Sequence, residues 1–157
     1  MSDWHELSEI SEQRQLKWDR RFLSEALSKA SWSKDPSTKT GCVITRGFHI
    51  ICTGYNGFPQ GVQDNEDRYN NRELKYKLIE HCDRNAIYQA ARYGISLEGS
   101  TMYLTGPPCA ECTRGIIQSG IIRVVWPKDN KFETTETWER WKESCELAFM
   151  MMVEAGS

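Results

Sequence analysis

Glu80-His81-Cys82-Asp83-Arg84-Asn85-Ala86-Ile87, followed downstream by Pro107-Pro108-Cys109-Ala110-Glu111-Cys112, is the part of the chain around which the rest is organised. A histidine and a Cys-x-x-Cys pair supply three donors. That is the count a catalytic zinc site takes from protein while leaving a fourth, open position for water. Cys109 and Cys112, three residues apart, fall on one side of the first turn of a helix. Pro107-Pro108 blocks that helix from extending upstream. The positive end of its dipole favours thiolates there. His81, opening the preceding helix, would present its ring from a second N-terminus facing the same point.

A Cys-x-x-Cys alone is also the mark of a structural zinc knuckle or a redox pair. A closed four-ligand site would need one further donor from Cys42, Cys52, Cys82, Cys145, His5 or His49. None of these stands at metal spacing from the pair, and four of them lie in runs that read as core. The open, catalytic type of site is therefore expected. Such a site makes water nucleophilic near neutral pH. Attack on an amidine carbon would then need a carboxylate beside the metal to move protons, and Asp83 holds that place.

Upstream, Leu16, Phe22, Leu23, Ala26, Leu27 and Ala30 recur at helical spacing, which predicts one long amphipathic helix from about Glu12 to Trp32. Ser33-Lys34-Asp35-Pro36 ends it, because the residue before a proline is driven out of the helical region. Residues 1–11 read as an arm. Gly41–Thr45 and His49–Gly54 are β-rich runs split by Arg46-Gly47-Phe48, a hairpin pattern. Gly54-Tyr55-Asn56-Gly57-Phe58-Pro59-Gln60-Gly61 reads as an ordered loop whose backbone can approach a ligand closely, or else as a plain surface turn. Residues 62–79 form a polar, mixed-charge excursion, partly helical from about Asn71 and read as a solvated face. Its cations Arg68, Arg72, Lys75 and Lys77 lie just upstream of the histidine motif, where a phosphate could be held.

Downstream, Cys82, Ala86, Ala90 and Tyr93 make an apolar helical stripe capped by Gly94. Thr101–Thr105 reads as a strand, Cys109–Ser119 as a helix and Ile121–Trp126 as a further strand. Strand, helix and strand in that order predict a right-handed parallel crossover and a sheet covered on both faces. A last helix, from about Thr135 to Glu154, places Trp138, Trp141, Cys145, Ala148 and Met152 on one face. Its Phe149–Val153 end is apolar nearly all round, which predicts burial in the core or in a subunit contact.

With 157 residues, 39% hydrophobic and 27% charged, the chain suits one soluble globular domain spanning 1–157. A formal charge of −2 gives no electrostatic footprint for duplex DNA or an anionic membrane. A polar, acidic N-terminus and the lack of a long apolar run predict a cytoplasmic protein. There, six cysteines point to metal ligation and core packing and away from disulfides.

The paired motifs are close to the zinc deaminase signature H-x-E…P-C-x-x-C. Together with the Gly54–Pro59 loop and Asn85-Ala86-Ile87, they make the sequence resemble the deoxycytidylate (dCMP) deaminase family of the cytidine deaminase-like superfamily, from about Trp18 to Gly156. The resemblance implies a three-layer α/β/α sandwich around a mixed sheet, and zinc-dependent hydrolysis of dCMP to dUMP and ammonia that feeds dTTP synthesis. It also implies a homohexamer activated by dCTP and inhibited by dTTP. On that basis His81, Cys109 and Cys112 would bind zinc and Asp83 would relay protons. Tyr55, Asn56 and Gly57 would lie against substrate or effector, and backbone groups around Thr105 and Cys109 would hold the amine and the water. Lys39, Arg114 and Lys75 are candidate phosphate ligands. Deaminases of dCTP or of a 5-substituted dCMP are the neighbouring alternatives. A tRNA adenosine deaminase fits the acidic balance and the loop less well.

Three departures from the family pattern stand out. Residues 57–80 contain neither Cys nor His, so a second, structural zinc site is not expected and one zinc per chain is. The edge strand that commonly follows the last helix has no counterpart before Gly156-Ser157. Asp83 stands where the signature has Glu. Its carboxylate would sit about 1–1.5 Å farther from the reacting atoms unless the backbone compensates. The alternatives are an adjusted active enzyme, a slow enzyme, or a zinc-bound nucleotide sensor.

Overall fold

The computed structural model describes residues 2–129 and 136–156. Val43, Ile44 and Thr45 are β-branched and almost wholly buried, as a strand enclosed on both faces requires. They form the middle of β1 (Gly41–Arg46), the strand between β2 (His49–Tyr55) and β3 (Thr101–Leu104). Both neighbours pair with it antiparallel, and β4 (Arg123–Val125) adds parallel to β3, so the sheet is mixed. The expected hairpin is present: β1 and β2 meet through Gly47-Phe48, with Gly47 at φ +59°, the backbone a tight hairpin turn needs.

Alternation along β1 sends successive side chains to opposite layers. Val43 packs with Phe22, Ala26 and Tyr103 beneath α1 (Ser2–Ala30). Cys42 and Ile44 pack on the other side with Cys82, Ala86, Ala90 and Ile116, from α4 (Cys82–Tyr93) and α5 (Ala110–Gln118). The result is the α/β/α layering. Two short helices, α2 (Glu66–Asn70) and α3 (Arg72–Leu78), precede α4, and α6 (Glu136–Ala155) packs on α5. No helix among the described residues is long and apolar enough to cross a membrane.

Two glycines set the distance between layers. A Cβ on Gly41 would lie 2.0 Å from the Ala26 carbonyl oxygen in α1, and one on Gly54 would lie 2.2 Å from that of Cys82 in α4. The close approach expected of the Gly54 loop is thus to a helix of the same chain.

Several expectations change. Residues 1–11, expected to form an arm, belong from Ser2 on to α1 (Ser2–Ala30). No proline or glycine interrupts the chain before Pro36, so nothing in the backbone chemistry stops the helix there. Leu16, Leu27 and Tyr93 are exposed, and the buried stripe of α1 runs Asp19, Phe22, Ala26, Ala30. The excursion carries two capped helices, with Asn65 and Asn71 accepting from the Arg68 and Leu74 amides. It is not wholly a solvated face, since Tyr69 and Lys75 are buried. The α6 end is half right: Cys145, Ala148 and Met152 are buried, while Phe149, Met150 and Val153 lie exposed in the single chain. Thr135, the expected start of that helix, lies outside the described residues.

Asp19 ties α1 to the sheet. Its carboxylate accepts from Tyr103 Oη at 2.6 Å, from Gln15 Nε2 at 2.9 Å and from both Arg123 Nη atoms at 2.9 and 2.7 Å. Burial alone would raise its pKa. The bonds from Arg123, Tyr103 and Gln15 outweigh burial and hold it at about 2. A depressed carboxyl contributes stability above its unfolded value, near 3.8, and loses it as pH falls toward 2. Arg123 is partly exposed, so screening leaves on the order of 1–2 kcal/mol. Urea midpoints should therefore separate the parent from Asp19→Asn at pH 7, and the gap should shrink below about pH 4 and nearly close by about pH 2. A gap that is the same at pH 7 and at about pH 2 would contradict this role.

Candidate metal centre

His81 and Cys109 occupy the same place on two helices. Each is an N-cap with extended backbone, His81 for α4 and Cys109 for α5. Cys112, one turn on, donates its amide to Cys109 Sγ at 3.4 Å. Both helices therefore point their unpaired amides and positive dipole ends at one spot. There His81 Nδ1 stands 3.5 Å from Cys109 Sγ and 3.3 Å from Cys112 Sγ. The three donor atoms lie within 4.8 Å of one another, the one such group of three among the described residues.

This donor set fits zinc. Tetrahedral bonds near 2.0 Å to nitrogen and 2.3 Å to sulfur put the N and S ligands about 3.6 Å apart, close to the spacing found. Protonation chemistry agrees. Cys109 is held at about 4, first by the Cys112 thiol and then, against burial, by the His81 ring. Cys112 is pushed far up by Cys109 and by burial, while His81 is raised by its bond to Cys109. Three donors share too few protons in too little space, and a divalent cation relieves all three at once. The other described cysteines are placed otherwise: Cys42, Cys52 and Cys82 pack in the main apolar core and Cys145 is buried on α6.

Asp83 is buried beside the triad. Its carboxylate bonds to the Cys112 thiol, and its Oδ1 accepts the Arg84 amide at 3.2 Å. Burial raises its pKa against the lowering effect of Cys112 and of His81.

The nucleotide candidates are distributed differently. Asn56 is buried and committed to its own chain. Its Oδ1 accepts from Thr40 N at 2.8 Å and its Nδ2 donates to Thr38 O at 2.8 Å, while its carbonyl accepts from Ser33 Oγ at 2.8 Å. Gly57 bridges to Glu80, so the loop is stitched to the residue before the histidine. Tyr55 is exposed beside Trp32, and its carbonyl accepts from Asn85 Nδ2 at 2.8 Å. Thr105 pairs with Gly41 through both its amide and its Oγ1. Lys39 and Arg114 are exposed. Lys75 is corrected: its Nζ is buried 3.2 Å from Asp35 Oδ1, and Asp35 also takes the Ser37 amide at 2.8 Å. A buried ion pair of this kind holds the Asn56 loop and leaves no ammonium for phosphate.

Contacts the motifs do not announce also shape the centre. Trp141 of α6 sets its ring edge-on to His81, with centroids 5.9 Å apart. Ser144, one turn later, accepts the Ala110 amide at 2.8 Å and so caps α5 from outside. Only tertiary packing brings α6 here. Arg84 and Glu80 were readable as a Glu–Arg pair four residues apart, at i, i+4.

Gly54 governs where α4 begins, because its missing Cβ would also lie 2.7 Å from Ala86 N. Gly54→Ala should displace the His81 end of α4 at a cost of about 1–3 kcal/mol. Dialysis against a zinc chelator followed by metal analysis should find that the variant loses zinc faster than the parent. Equal retention would show that the spacing is not set there.

A family model described as the cytidine and deoxycytidylate deaminase zinc-binding region matches residues 16–128. An uncharacterized deaminase in the luxG 3′ region of Aliivibrio fischeri is 41% identical over 140 residues, 89% of this chain and 90% of its own. Human deoxycytidylate deaminase is 32% identical over 139 residues, 83% of this chain and 77% of its own. The solved dCMP deaminase of cyanophage S-TIM5 aligns with a TM-score of 0.67 at 20% identity, over 88% of this chain and 91% of that one. At such identity the likeness speaks to the fold alone. By the family model and the curated relatives, the chain belongs to the deoxycytidylate deaminase family of zinc-dependent deaminases.

Proposed function

We propose that this chain hydrolyses dCMP to dUMP and ammonia in the cytoplasm, supplying dUMP for dTTP synthesis. The observation that carries the reading is a buried carboxylate, Asp83, beside a His81–Cys109–Cys112 donor triad of zinc-fitting geometry. Supporting it, the curated relatives include deoxycytidylate deaminases.

In the overall change water adds its oxygen at C4 of the base, the C4–N4 bond breaks and ammonia leaves. When bound at the triad, zinc would supply the Lewis acidity that makes water nucleophilic near neutral pH. His81, Cys109 and Cys112 are the residues that would hold the metal. Asp83 takes one proton from the attacking water and delivers it to the ring N3, where it stays, and then carries the remaining hydroxyl proton to the departing amine as the C4–N4 bond breaks and the C4 carbonyl forms. Its burial suits a group that must hold a proton between those steps. Tyr55, exposed at the mouth of the Asn56 loop, and Gly57 contact the nucleotide, while Asn56 keeps that loop in shape. Lys39 and Arg114 are the exposed cations available for phosphate. The family resemblance supports a homohexamer with dCTP as activator and dTTP as inhibitor.

Zinc-loaded protein is expected to release ammonia from dCMP faster than from dCTP, 5-methyl-dCMP, cytidine or adenosine. Asp83→Asn should lower kcat by about 10²–10⁴-fold with zinc content unchanged. Adding dCTP to the same assay should sharpen or shift the saturation curve. No turnover by the parent, with turnover gained in Asp83→Glu, would overturn the enzyme reading in favour of a zinc-bound nucleotide sensor.

A further inference from the structure

The two helices that deliver the donor triad are tied together by a side chain that touches none of its atoms. Arg84, in the first turn of α4, converges its Nε and Nη2 on Glu80 Oε1 at 2.6 and 2.5 Å. Its third nitrogen, Nη1, reaches across to Glu111 Oε1 in the first turn of α5 at 2.7 Å. Glu80 Oε1 also accepts the His81 amide at 3.2 Å. One guanidinium thus spans from the peptide that carries the histidine to the turn that carries both cysteines. Its side chain is only 17% exposed and that of Glu80 22%, so water competes little for the bonds to Glu80, whereas Glu111 at the far end is 62% exposed.

We propose that Arg84 is a positioning residue: its bridge between Glu80 and Glu111 fixes the N-terminus of α4 against that of α5. The bridge thereby sets both the third ligand and the stance of Asp83. Arginine suits the task because its rigid fork holds two carboxylates at a defined angle, which a lysine cannot do. Asp83 makes the requirement acute. A carboxylate one methylene short has little reach to spare, and a misplacement of about 1 Å in reacting geometry can cost on the order of 10²-fold in rate. Arg84 lies next to Asp83 in the chain and gives it a backbone amide, so any slip of the brace moves the carboxylate directly.

The proposal rests on the deaminase reading, and its test has a readout that does not. Arg84→Met, Arg84→Lys and Glu111→Gln are compared with the parent, each loaded with zinc for kinetics and with cobalt(II) for absorption. Arg84→Met is expected to lower kcat for dCMP about 10–100-fold with KM within about threefold. The cobalt ligand-field bands should shift and the metal should leave faster. Arg84→Lys should recover only part of each effect. Glu111→Gln, altered at an exposed surface position, should move each readout the same way by less, and it decides the matter if Arg84→Met does not fold. Unchanged cobalt bands and metal release in the folded variants would overturn the proposal, as would a fall in thermal stability with kcat and bands intact. If the bands shift but no variant nor the parent acts on dCMP, the brace stands and the substrate reading falls.

Discussion

Three donor atoms from two separate helices have to reach one point within about 4 Å, a tolerance set by zinc–ligand bond lengths. Neither helix can satisfy this alone, so the sheet must hold both starts in place. β1 lies at the centre because α1 packs on one face and α4 with α5 on the other. Gly41 and Gly54 let those layers close to backbone distance. The loop after β2 is then stitched by Gly57 to Glu80, immediately before the histidine. The hairpin thus works as the template on which the His81 end of α4 is seated.

Electrostatics follows from the same arrangement. Two helix N-termini raise the local potential, which favours thiolate at Cys109, and it is the negative charge of the thiolates that then attracts a divalent cation between the donors. Asp83 adds a carboxylate inside this field. Arg84 sits between Glu80 and Glu111 and neutralises part of the surrounding negative charge while it holds the two turns together. A carboxylate one methylene shorter than the signature's glutamate would ask for a stiff frame. The Trp141 and Ser144 contacts from α6 stiffen it further from the outer side.

The donor triad was legible in the sequence because its chemistry is local: a Cys-x-x-Cys after proline and a histidine at a helix start carry their own geometry. The hairpin and the Gly94 cap were legible for the same reason. Long-range consequences were not. Lys75 sits in a run of mixed charges and looks solvated, yet a partner 40 positions away buries it. Asn56 stands in a loop that the family resemblance sets against nucleotide, and nothing local in the sequence shows that its side-chain amide also closes the 35–40 turn through Thr38 and Thr40. Residues 1–11 lack an apolar stripe and so gave no helical period, although nothing in them opposes helix. Periodicity reports burial, and helix can form without it.

X-ray absorption at the zinc edge tests the metal centre most directly. One zinc per chain is expected, with two sulfur neighbours near 2.3 Å and two lighter nitrogen or oxygen neighbours near 2.0 Å, roughly as an open catalytic site requires. Three or four sulfur neighbours, or no stoichiometric zinc, would contradict the account.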